Sequence, residues 1–116
     1  MKYFCTYEQL DFDENSTNYL EFYWGPHDPD HTWRKDSLYI AGDVFDHVCG
    51  MKLLLRSGAL PEFDFYDDTV VTREDWQRMR TILAAQSGNA ADFAEELASW
   101  ISDGFSCHDC FVISGV

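Results

Sequence analysis

Near the end of the chain, Cys107, His108, Asp109 and Cys110 place three kinds of metal-ligating side chain in four consecutive residues. A Cys-x-x-Cys pair has three chemical uses. It can supply half of a structural zinc site, which needs four ligands and hence a second pair at suitable spacing. It can act as a redox dithiol, which needs an activated thiolate, commonly at a helix N-terminus. Its thiols can also serve as small buried hydrophobes. The other cysteines, Cys5 and Cys49, are isolated, and Cys110 runs straight into Phe111, Val112 and Ile113, a strand-like run rather than a helix start. Structural thiols are therefore the expectation, with a metal or thiol-dependent role for Cys107, His108 and Cys110 as the alternative.

In "HDPDH", His27 and His31 stand four apart with Asp28 and Asp30 between them. Pro29 prevents the helix that would stack both rings on one face, and neither HExxH nor EF-hand spacing surrounds them. A solvated turn is expected, becoming a cation site only if the fold brings it to Cys107, His108 or Cys110. His47 lies beside Asp43 and Asp46 in an apolar segment, and it cannot serve Cys49 as a base because i and i+2 on a helix do not face each other. The serines form no GxSxG elbow, and Gly42, Gly50, Gly58 and Gly88 match no phosphate-cradling loop. The reading is a protein without a catalytic site, metal or cofactor.

Acidic and aromatic residues interleave twice, at Asp11, Asp13 and Glu14 in "DFDEN" and at Glu62, Asp64, Asp67 and Asp68 in "EFDFYDD". Strand alternation would set Glu62, Asp64 and Tyr66 opposite Phe63 and Phe65. That pattern suits the solvated side of a sheet, and equally a surface that meets Lys and Arg clusters. Tyr23, Trp24 and Trp33 are candidate packed anchors for such a contact.

The elements that must position these residues are legible in part. "MKYFCTYEQL" and "STNYLEFYWG" read as an antiparallel hairpin with a longer loop, Tyr19, Glu21 and Tyr23 alternating with Leu20, Phe22 and Trp24. A short strand over Ser37–Ala41 follows. Val44, Val48, Met51 and Leu55 then predict a helix from Asp43 to Arg56, ended by Gly58 and Pro61. "FDFYDDTVV" suits two short strand pieces. Thr72 caps a second helix whose first turn carries Glu74 and Asp75 and whose apolar face is Trp76, Met79 and Leu83. Asn89 is read as the cap of a third, with Phe93, Leu97, Trp100 and Ile101 on one face and Gly104 at its end. "CFVISGV" is a buried last strand. This order predicts an α+β fold, a mainly antiparallel sheet with about three helices on one face, and one domain over residues 1–116.

Composition narrows the function class. With 21 acidic against 8 basic residues the net charge is −13. Such a field repels phosphates and anionic membranes and speeds encounter with a basic partner. No nucleic-acid or membrane contact is expected. With no signal-peptide pattern and no apolar run of membrane-spanning length, the four cysteines are expected to be reduced and the protein cytoplasmic.

In size, acidity, the "DFDEN" and "EFDFYDD" stretches and the closing "DDTVVTREDWQRMRTIL…FVISGV", the chain resembles the small acidic immunity proteins of bacterial toxin–immunity systems, including those of contact-dependent growth inhibition. The resemblance implies a cytoplasmic protein that binds a cognate toxin domain, often a nuclease, and blocks its active site or substrate surface. A nuclease that grips phosphates presents Lys and Arg, which agrees with the charge. An acidic regulatory adaptor for another basic partner is a further reading of the same features.

Overall fold

The alternation in "YLEFYW" makes one strand serve two layers. In the computed structural model, which describes residues 1–10, 18–30, 33–86 and 88–115, strand β2 (Tyr19–Trp24) turns Leu20 and Phe22 to the helices and Glu21 and Tyr23 to the opposite face. It pairs antiparallel with β3 (Leu38–Ala41) on one side and β5 (Cys110–Ser114) on the other. β4 (Thr69–Thr72) pairs with β5, and the two-residue β1 (Cys5–Thr6) pairs with β3. Among the described residues the sheet is five-stranded and antiparallel, in the order β1-β3-β2-β5-β4.

Among the described residues four helices complete an α+β fold: α1 (Gly42–Val48), α2 (Gly50–Ser57), α3 (Arg73–Ala84) and α4 (Asn89–Ile101). Phe45, Leu54, Trp76, Met79, Leu83, Phe93 and Leu97 meet Leu20, Phe22, Ile40, Val71, Phe111 and Ile113 in one core. Each large side chain so buried contributes on the order of 1.5–3 kcal/mol. The expected fold class holds.

Several local expectations need correction. The first two strands do not form a hairpin, because β3 lies between them: both edges of β2 are taken by the longer β3 and β5. The helix expected over Asp43–Arg56 is two helices, broken at Cys49 (φ −135°, ψ −62°) and at Gly50, whose φ of 71° lies in the left-handed region. The break changes the phase of the apolar face. Phe45, Val48 and Leu54 are buried, while Leu55, expected on that face, is exposed. Residues 62–68 form turns rather than strand, although Phe63 is still buried and Glu62, Asp64 and Tyr66 are still exposed.

The α3 start is as read: Thr72 Oγ1 accepts the Asp75 N–H and Asp75 Oδ2 accepts the Thr72 N–H. α4 is capped by Gly88 (φ 80°) rather than Asn89, whose Oδ1 instead accepts the Tyr3 hydroxyl. It ends at Ile101, where Ser102 reverses the chain at φ 35°. Glu96 on α4 ties down the first residues of the chain by accepting the backbone N–H groups of Lys2, Tyr3 and Phe4. No helix among the described residues is long and apolar enough to cross a membrane.

Candidate functional site

The sheet face away from the helices is covered by residues 25–30 and 33–37, and polar chemistry collects beneath them. Glu21, 1% exposed, sits opposite Tyr39 in the β2–β3 register. Its Oε2 accepts the Ser37 hydroxyl at 2.7 Å and the Arg34 backbone N–H at 3.0 Å. The Tyr39 hydroxyl lies 3.2 Å from the same oxygen and also reaches the Arg34 carbonyl, sharing its one proton between two acceptors. Burial, and then the Glu21 charge, raise the Tyr39 phenol above its ordinary pKa. A buried carboxylate met by several donors is the arrangement that offsets its desolvation.

Arg34 holds the cover in place. Its guanidinium lies 4.4 Å above the Tyr23 ring, donates to the Trp24 carbonyl at 3.0 Å and faces Asp28 at 3.8 Å. Tyr23 is therefore a core residue, 1% exposed, with its hydroxyl accepting the Asp28 N–H. Its expected role as a surface anchor is corrected.

His27 Nε2 lies 2.8 Å from Asp68 Oδ2, and the Ser114 hydroxyl donates to Asp68 Oδ1 at 2.9 Å. Serine, aspartate and histidine are thus together, but in an order that does not activate a nucleophile. A serine is activated by a histidine that takes its proton, whereas here Ser114 gives its proton to the carboxylate. The chemistry is that of a clamp that fastens the covering segment to β5 and to the start of β4. His27 is committed to this clamp. His31, the other half of "HDPDH", lies outside the described residues.

Beside the clamp runs the acidic turn. Asp64 Oδ1 accepts the Tyr66 N–H at 2.9 Å, Asp67 Oδ1 accepts the Asp68 N–H at 2.8 Å, and Thr69 Oγ1 accepts the Asp64 N–H at 3.2 Å. These side chain–backbone bonds hold the turn's shape in place of a strand ladder. Tyr66 stands 75% exposed at its tip, edge-on to the half-buried Phe65 at 5.2 Å, and Glu62, Asp64 and Asp67 of the same segment are exposed as well. Asp68 is less available, because both of its oxygens are engaged.

Of the other expected anchors, Trp33 is 41% exposed and packs edge-on to Tyr19 at 6.1 Å. Trp24 is half-buried, stacked on Trp100 at 5.1 Å and on His108 at 5.2 Å, with Phe105 edge-on. Asp11, Asp13 and Glu14 lie outside the described residues. Tyr66 is not among the anchors expected from the sequence, although it stands in "EFDFYDD".

The Cys107–Cys110 segment lines a cavity of about 250 Å³ together with Gly25 and Pro26. Cys107 is exposed and Cys110 half-buried, so the expectation that this pair serves as buried structural thiols does not fit Cys107. Burial pushes the Cys49 thiol up to about 12. Among the described residues no group of three or more His, Cys, Asp or Glu side chains is placed to hold a metal ion. His47 stands exposed in the last turn of α1.

No family model matches the chain, and no curated protein or solved structure shows significant similarity to it.

Proposed function

We propose that the chain is an immunity protein of a toxin–immunity system of the contact-dependent growth inhibition kind, one that binds and neutralises a cognate toxin domain through an acidic and aromatic surface. The observation that carries the reading is Tyr66, three-quarters exposed on a turn braced by Asp64, Asp67 and Thr69, with exposed carboxylates close to it in the chain. A large aromatic side chain left in water on a braced turn is a suitable central anchor, because little ordering entropy remains to be lost on binding. These carboxylates, in a chain of net charge −13, steer a basic partner and raise its association rate.

The partner of best fit is a toxin domain rich in Lys and Arg, of which a phosphate-gripping nuclease is the clearest kind. By covering that basic surface the chain competes directly with the toxin's nucleic-acid substrate. The reading makes this a non-catalytic protein that acts in the cytoplasm, where such a toxin finds its substrate.

The test is co-expression with the product of the adjacent reading frame, followed by salt-graded purification of the complex. The expected result is growth rescue from a toxic neighbour and co-purification of a basic domain whose association slows steeply with salt. A neighbour that is neither toxic nor bound overturns the reading.

A further inference from the structure

We propose that Cys107 and Cys110 form a reversible intramolecular disulfide, closed by a low-molecular-weight disulfide such as oxidised glutathione and reopened by the matching thiol. The placement of both cysteines around one bend carries this. Cys107 closes the turn over Gly104–Ser106, where its own N–H and that of His108 both donate to the Gly104 carbonyl at 3.0 and 2.9 Å. The chain bends at Asp109, and Cys110 opens β5. Cys107 and Cys110 then both line the same cavity, with Gly25 and Pro26.

Gly25 leaves room for one of them. A Cβ at that position would lie 2.5 Å from Cys110 Sγ, while the Gly25 N–H donates to the Cys110 carbonyl at 2.8 Å. The backbone of residue 25 is thus held against Cys110 without a side chain to crowd its sulfur. The other two thiols are placed differently: Cys49 is buried between α1 and α2, and Cys5 lies on β1 at the edge of the sheet. The inference does not depend on the toxin-binding reading.

The exchange proceeds in two balanced steps. The exposed Cys107 thiolate attacks one sulfur of oxidised glutathione. The S–S bond breaks, one glutathione thiolate leaves, and a mixed disulfide remains on Cys107. Cys110 then gives its proton to solvent and attacks the Cys107 sulfur, expelling the second glutathione as thiolate. Two protein thiols are oxidised by two electrons, and one oxidised glutathione is reduced to two molecules of glutathione. Burial and the Asp109 charge raise the Cys110 thiol above its ordinary pKa, so the second step quickens with rising pH. Closure redraws the turn that carries His108, which stacks on Trp24, and Trp24 emission reports it.

The test equilibrates the full chain in buffers of graded reduced and oxidised glutathione, then traps free thiols by alkylation and maps the peptides by mass spectrometry. The expected result is loss of the Cys107 and Cys110 thiols together, one cross-link between them, and a dependence on the square of reduced over oxidised glutathione. Asp109→Asn is expected to speed closure at neutral pH, and Cys110→Ser to stop the reaction at a mixed disulfide on Cys107. The wild-type map decides the matter even where a variant folds poorly. A mixed disulfide that persists on wild-type Cys107, a cross-link through Cys5 or Cys49, or four free thiols at the most oxidising ratio overturns the proposal.

Discussion

The ring of Trp24 occupies the space that a side chain on Gly104 would need: a Cβ there would lie 1.8 Å from Trp24 Cζ2. Gly104 is thus kept small by packing, whereas the reversal that ends α4 is made two residues earlier by Ser102. The same ring stacks on Trp100 and His108, so this contact joins β2, the end of α4 and the turn before β5. Gly104→Ala is expected to destabilise the fold by about 1–3 kcal/mol through overpacking. Urea unfolding measures this, and in a Trp24→Phe background the same substitution should cost less, because contacting residues are not additive.

Glu21 gathers the covering segment onto the sheet. Glu21→Leu would leave the Ser37 hydroxyl and Arg34 N–H without their acceptor beneath that cover, a loss of about 2–4 kcal/mol for two stranded donors. Glu21→Gln keeps an acceptor oxygen and should cost less than Leu. Equal unfolding midpoints for the two variants would contradict this account of the site.

Alkaline pH should weaken the fold. Cys49 holds its proton up to about 12 in the folded protein against 9.0 when unfolded, and Tyr39 is likewise raised above 10.0. With folded values above unfolded ones, their contribution is whole below pH 9 and is lost as pH rises from there. The slope approaches about 1.4 kcal/mol per pH unit for each group. Cys49→Ala should flatten the stability profile between pH 9 and 12, as measured by denaturant unfolding at each pH.

The helix cap gives the opposite sign. Burial disfavours the charged form of Asp75, but hydrogen bonds from Thr72 and the Arg78 guanidinium outweigh it and hold the carboxyl below 3.8. Its contribution is present above pH 3.8 and is lost as pH falls through the depressed value. Thr72→Ala removes one bond of the box and should cost about 1 kcal/mol at neutral pH, with a smaller loss in strong acid.

Binding should separate from stability at the acidic turn. Tyr66→Ala leaves an exposed site, and stability should stay within about 0.5 kcal/mol of wild type, while affinity for the proposed toxin partner should fall by roughly tenfold or more, as at an anchor residue. Asp64→Lys with Asp67→Lys should lower the association rate and its salt dependence, provided circular dichroism shows the turn's neighbours intact. An unchanged rate would place the contact face elsewhere.

Where a local pattern and its surroundings agree, the sequence alone was enough. The period of Trp76, Met79 and Leu83, the Thr72 cap, the Gly58 stop and the apolar run 111–113 each determined an element, because helix caps and buried strands depend on residues a few positions apart. The α+β class followed from their order. The tertiary structure alone decided what lies on the second face of the sheet. "HDPDH" has the composition of a solvated turn, yet His27 reaches Asp68 and, further along, Arg34 packs on Tyr23, turning Glu21 and Tyr23 from surface residues into buried ones. The partners of that clamp, His27, Asp68 and Ser114, are separated by 41 and 46 residues. No periodicity reaches that far: sequence pattern records which face of an element is apolar, and only closure of the chain decides what covers the other.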